Sequence, residues 1–149
     1  MYVMVSCLVL SCSIPAVSLT FNEAYRLAHK GDVEAQYILG LMYIEGSNVP
    51  QNDSEGMKWL RKAADRGHVD ASCILGLCYY EGGMGVKRNY SQAVKYLSHA
   101  ANRSNLAEPQ FALANLYLNG QGVKRNLSQA FKLYLSAASK GMPETQHNV

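Results

Sequence analysis

What the 149-residue sequence has least of is charge and reactive chemistry. Charged side chains make up 17% of it, and 14 Lys and Arg against 11 Asp and Glu leave a net charge of +3. So mild an excess does not predict a reader of nucleic acid, which needs clustered basic side chains to neutralise phosphates. Cysteine and histidine occur 4 times each. Cys7 and Cys12 lie in an apolar leading stretch, and Cys73 and Cys78 share a predicted helix, where their spacing turns them about 140° apart, so they cannot bridge. They align with Tyr37/Met42 and Phe111/Leu116, which makes them small packing residues. His29, His68, His99 and His147 are spread along the chain with no His-Glu-x-x-His pair and no carboxylate at ligand spacing, so no metal site is expected. No Ser/His/Asp or Cys/His arrangement, phosphate-cradling glycine loop or paired carboxylates can be assembled. No catalytic residue and no cofactor is assigned, and the chain is not expected to be an enzyme.

What is present is a repeat. Ala35-Gln36-Tyr37-Ile38-Leu39-Gly40-Leu41-Met42-Tyr43 lies over Ala71-Ser72-Cys73-Ile74-Leu75-Gly76-Leu77-Cys78-Tyr79 and then over Pro109-Gln110-Phe111-Ala112-Leu113-Ala114-Asn115-Leu116-Tyr117. Val49, Val86 and Val123 follow in the same frame, and then the pairs Ala63-Ala64, Ala100-Ala101 and Ala137-Ala138. Self-similarity at this period marks a solenoid, in which no single unit buries its apolar face alone. In the first block Ala35, Leu39 and Tyr43 recur at helical spacing, so Leu39 and its equivalents are core positions, with Gly40 where a neighbour can approach closely. In the second block Leu60, Ala63, Ala64 and Gly67 form a like stripe. Gly46, Gly82 and Gly120 suit the end of each first helix, and Gly67 and Gly141 the end of a second. Asn52 with Glu55, Asn89 with Gln92, and Asn126 with Gln129 have the spacing of a capping box.

These residues together resemble the Sel-one-like repeat family, a branch of the tetratricopeptide-like helical repeats. The match runs from about Phe21 to the C-terminus. It departs from the family pattern at Gly56, where alanine is usual, at the three capping Asn, where Asp is usual, and at Ser104, where glycine is usual. Each departure is expected to affect local stability and not the fold. The implied architecture is all-α, a right-handed α-solenoid of antiparallel helix pairs.

Taken in order, residues 1–18 are a signal peptide or an apolar N-terminal segment, and 19–31 a partial capping helix. Residues 32–68, 69–105 and 106–142 are three repeats, and 143–149 the start of a truncated one. The first 22 residues carry no charge, and Pro15-Ala16-Val17-Ser18 suits cleavage before Leu19. The missing basic start leaves other readings open: the remnant of an upstream repeat, an apolar helix packed on the stack, or a lipoprotein box at Val9-Leu10-Ser11-Cys12. The chain is secreted, periplasmic or in the secretory pathway if the leader is real, and otherwise cytoplasmic. Asn52, Asn89, Asn102 and Asn126 each open an Asn-x-Ser triplet, but three of these are helix caps, where Asn and Ser serve the backbone.

Opposite the first-helix seam lie Tyr37, Ile38, Leu41 and Ile44; Cys73, Ile74, Leu77 and Tyr80; and Phe111, Asn115 and Leu118. An apolar far face must be covered by something. In tetratricopeptide-like folds these positions line a concave groove, so the resemblance implies a protein or peptide ligand there, one with apolar anchors and some basic charge to meet the acidic rims. Lys87-Arg88 and Lys124-Arg125 fall on one loop edge, open to an acidic partner. The expected function is a non-catalytic adaptor or scaffold, in one variant an effector or quality-control adaptor of the secretory pathway. The competing expectation is a structural subunit that self-associates through its C-terminal end. Neither involves nucleic acid, nor membrane insertion once a leader is removed.

Overall fold

A computed structural model describes residues 19–141; the leader reading of 1–18 and the truncated repeat at 143–149 lie outside the described residues. Among the described residues seven helices follow one another: α1 (Phe21–His29), α2 (Val33–Glu45), α3 (Asp53–Asp65), α4 (Val69–Glu81), α5 (Tyr90–Ala101), α6 (Glu108–Asn119) and α7 (Leu127–Ser139). No strand occurs among the described residues. Each helix packs chiefly on its neighbours in sequence, α2 on α3, α4 on α5 and α6 on α7 within hairpins, with α3 on α4 and α5 on α6 between them. The molecule is therefore an α-solenoid of antiparallel helix pairs.

The first helices α2 and α4 are buried almost all round, whereas the second helices are amphipathic. Leu39, Leu75 and Leu113 sit in the core as their spacing requires. Close approach inside a hairpin depends on small residues. A β-carbon at Gly40 would meet Leu60 Cγ at 2.9 Å, and one at Gly76 would meet Leu97 Cγ at 2.7 Å.

The helix ends follow the sequence with two revisions. Gly46 and Gly120 close α2 and α6 in the left-handed conformation, whereas Gly82 closes α4 with a φ of 76° but a ψ of 127°, outside that region. Asn52, Asn89 and Asn126 cap α3, α5 and α7, each side chain accepting from the backbone N–H three residues on. The reciprocal half of the expected capping box is replaced. The backbone N–H of Asn52, Asn89 and Asn126 donates to the carbonyl of Tyr43, Tyr79 and Tyr117 at 2.8, 2.8 and 3.0 Å, clamping the two helices of each hairpin together. Among the described residues a full capping box forms only at α1, between Thr20 and Glu23. The longer loop of the second repeat closes on itself through paired backbone bonds between Gly83 and Val86.

Between repeats, the end of each second helix reaches back one unit. Arg66 donates to the carbonyl of Gly31, His99 Nε2 to that of Gly67 at 3.1 Å, and Lys140 Nζ to that of Ser104 at 2.8 Å. Gln36 and Gln110 donate from their amides to the carbonyls of Ala28 and Ala101. Of these acceptors, Ala28 and Ala101 lie in the last turn of a helix and Gly31, Gly67 and Ser104 in the loop just beyond one.

Candidate functional site

Of the first-helix face, the larger part is interior. Tyr37, Ile38, Leu41 and Ile44 on α2, and Cys73, Ile74 and Leu77 on α4, are all buried in one continuous core. The physical reason is that α2 is packed by α1 and α3, and α4 by α3, α5 and α6, so a helix apolar around its circumference is covered around its circumference. As folded, none of these seven side chains is more than 5% exposed. Tyr80, Phe111 and Asn115 are half-buried, and Leu118 is exposed at 38%.

Tyr80, Asn115 and Tyr134 form a polar knot among α4, α6 and α7. Asn115 Nδ2 donates to the Tyr80 hydroxyl at 3.0 Å, and the Tyr134 hydroxyl donates to Asn115 Oδ1. Phe111 packs edge-on against Tyr134, with ring centroids 5.7 Å apart. Burial, and then the neighbouring Tyr80, pushes the Tyr134 phenol above its ordinary pKa. Both ends of the Asn115 amide are thus engaged, and the knot positions Phe111 at the edge of the face.

The charge on this face has one sign. Glu34 and Glu45 on α2 are exposed, Asp70 and Glu81 on α4 and Glu108 on α6 are partly so, and none of the three helices carries Lys or Arg. Glu34 is tied to the next repeat by His68, whose Nε2 donates to Glu34 Oε2 at 2.8 Å while its Nδ1 accepts from the N–H of Ala71 as the cap of α4. The His68 ring stacks on Tyr37 at 4.3 Å. One imidazole therefore caps a helix and joins two units.

Lys87, Arg88, Lys124 and Arg125 are all exposed, in the loops that lead into α5 and α7. The Arg88 guanidinium lies 5.5 Å from the Tyr90 ring centroid. In the first repeat Pro50 and Gln51 hold the corresponding positions and are also exposed, Gln51 Nε2 donating to the carbonyl of Ile44 at 2.9 Å.

An open cleft of about 470 Å³ lies elsewhere, lined by Asp65, Ser72, Lys95, Tyr96 and His99 among others. Its polar groups are spent on one another: the Tyr96 hydroxyl donates to Asp65 Oδ1 at 2.8 Å, and Lys95 Nζ stands 3.7 Å from the same oxygen. Cys73 and Cys78 are buried thiols, the Cys78 Sγ donating to Met84 Sδ at 3.8 Å, and burial pushes the Cys78 thiol up to about 12. Among the described residues no group of His, Cys, Asp and Glu is placed to hold a metal, and no helix is long and apolar enough to cross a membrane.

Three consecutive stretches, residues 33–68, 69–105 and 109–142, match the Sel1 repeat. The chain belongs to the Sel1 repeat family. Among solved structures, this Sel1 repeat chain is similar to c5321, a protective antigen present in uropathogenic Escherichia coli strains and displaying an SLR fold. Identity to it is 31% with a TM-score of 0.73 over 87% of this chain, which spans only 27% of that one. A Sel1 repeat protein from Oxalobacter formigenes is also 31% identical, with a TM-score of 0.72 over 85% of this chain and 94% of its own. Cysteine rich protein B of Helicobacter pylori shares the fold at 20% identity, with a TM-score of 0.60 over 89% of this chain and 98% of its own. No curated protein matches.

One apolar surface lies toward the end where self-association is the competing expectation, and its residues were not named from the sequence. On α7, Leu127, Phe131 and Leu135 are exposed. Their four-residue spacing was the available signal, and it reads equally well as one more core stripe.

Proposed function

We propose that this Sel1 repeat protein is a non-catalytic adaptor that holds a polypeptide segment against its first-helix face. The observation that carries the reading is the charge of that face. Glu34, Glu45, Asp70, Glu81 and Glu108 recur on successive first helices with no basic residue among them, beside the aromatic and apolar side chains of Tyr80, Phe111 and Leu118. Such a surface favours a segment that combines apolar anchors with basic side chains. The buried members of the face serve as its floor, holding the exposed members in place.

Binding of synthetic peptides that vary independently in apolar and basic content tests the reading. Peptides with both features are expected to bind, and Glu45→Lys together with Leu118→Asp to weaken them at least about tenfold. Equal binding of acidic and basic peptides would sink it. Residues 1–18, read as a leader, would place the adaptor outside the cytoplasm. N-terminal sequencing of the protein from its native source checks that: a chain starting at Leu19 supports export.

A further inference from the structure

The three repeats differ in what closes the junction with the helix before them. At one interior position of the first helix the first and third repeats carry Gln36 and Gln110, and the second carries Ser72. Both glutamines are buried, and each donates from its side-chain amide to a carbonyl in the last turn of the preceding helix, Ala28 at 3.2 Å and Ala101 at 2.8 Å. The equivalent acceptor in the middle junction is the carbonyl of Ala64. Ser72 does not reach it; its hydroxyl donates instead to the carbonyl of His68 at 2.9 Å, at the start of its own helix. Among the described residues no side chain donates to the Ala64 carbonyl, which keeps backbone donors such as the N–H of Gly67 at 2.9 Å.

The place of the missing carboxamide is open. Both Ala64 and Ser72 line the cleft of about 470 Å³. The charged groups at its rim are paired: Lys95 Nζ stands 3.7 Å from Asp65 Oδ1 and 4.8 Å from the centre of the Tyr96 ring, and Tyr96 donates to the same Asp65 oxygen. The cleft thus offers no uncompensated charge to an ion. What remains for a ligand is oxygen: the Ala64 carbonyl and the fully buried Ser72 hydroxyl, which can accept while it donates to His68. The two glutamine junctions show which end of a carboxamide matters. Gln36 Oε1 and Gln110 Oε1 are buried without a hydrogen bond, so the N–H end alone makes the contact.

We propose that the cleft among α3, α4 and α5 binds the primary carboxamide of a ligand, its N–H donating to the Ala64 carbonyl in the place that a glutamine side chain fills in the other two junctions. A carboxylate of the same shape has no N–H to give and would face these acceptors unpaired, so the cleft rejects it. The carboxamide can belong to a free amino acid or to a side chain of a bound polypeptide, and the two sources are separable.

The test is a heteronuclear NMR titration of the intact chain with L-glutamine and with N-acetyl-Ala-Gln-Ala-N-methylamide, whose one primary carboxamide is the side chain, each beside its glutamate counterpart. The expected result is saturable shifts of the Ser72 and His99 amides with at least one glutamine probe, at the affinity of about 1 mM that so few contacting atoms allow. The glutamate counterparts are expected to bind at least about tenfold more weakly, and added salt to change little. Response to the peptide alone assigns the site to a polypeptide, and response to L-glutamine as well assigns it to the free amino acid. Ser72→Gln supplies the carboxamide from the chain itself, as the other two repeats do; with its fold verified by circular dichroism it is expected to abolish the shifts. The proposal is overturned by no response to either glutamine probe, by equal response to the glutamate probes, or by an undiminished response in folded Ser72→Gln. The comparison of glutamine with glutamate on the unaltered chain decides the matter even where Ser72→Gln does not fold.

Discussion

A β-carbon at Gly56 would stand 2.5 Å from Ile44 Cγ1 and 2.8 Å from the carbonyl oxygen of Gly40. The departure from the alanine usual at this position is therefore a packing requirement. Gly56→Ala gains up to about 1 kcal/mol of helix propensity, but the overlap is expected to cost about 1–3 kcal/mol. The variant should unfold at lower urea concentration than the parent. Gly67 gives the contrasting case. Nothing lies within 4 Å of a β-carbon there, but its φ is +92°, so Gly67→Ala is expected to lose about 1–2 kcal/mol through backbone strain alone. Burial also sets a response to alkali. The Cys78 thiol is raised from 9.0 to about 12, and the phenols of Tyr43, Tyr96 and Tyr134 are raised as well, in each case first by burial. Unfolding frees each group to ionise at its ordinary pKa. The stability they contribute is thus complete below about pH 9 and falls as pH rises toward the folded values. Denaturation midpoints measured across pH 8 to 11 are expected to decline, and iodoacetamide at about pH 8 to label Cys78 only in the unfolded chain.

At the scale of the element, the caps separate two accounts of how α5 and α7 begin. If a full capping box operated, the Asn and the Gln three residues on would both matter; the bonds observed assign the work to Asn89 and Asn126. Asn126→Ala is expected to cost about 1 kcal/mol, and Gln129→Ala less than about 0.5 kcal/mol. Chemical denaturation of both variants checks the difference. This division shows what a linear sequence conveys. Helix spacing, the Asn caps, the terminal glycines and the core leucines depend on residues near one another in the chain, and they were legible. The tyrosine carbonyls that receive the Asn N–H groups depend on how two helices close, and they were not. The same limit applies to the candidate site. An all-round apolar pattern on α2 and α4 shows that both sides are covered, but whether by neighbours or by a ligand depends on tertiary packing. Leu41 and Leu77 turned out to be covered by neighbours. Leu41→Asp, which buries an unpaired carboxylate, is accordingly expected to lose helical circular dichroism and not to act as a selective binding variant.

Across the whole molecule, stability is shared along a line. Each hairpin is closed by its own Asn–Tyr clamp, and each repeat is joined to the one before it by the bonds from Arg66, His99 and Lys140 to carbonyls one unit back. The Asn caps recur every 37 residues, at Asn52, Asn89 and Asn126. Among the described residues the couplings join adjacent units, so no long-range fastening there breaks all at once. Drawn out between its two ends under tension, as in an optical trap, the array should yield in successive rips. Each rip would release one hairpin's worth of slack, roughly 130 Å of extended backbone.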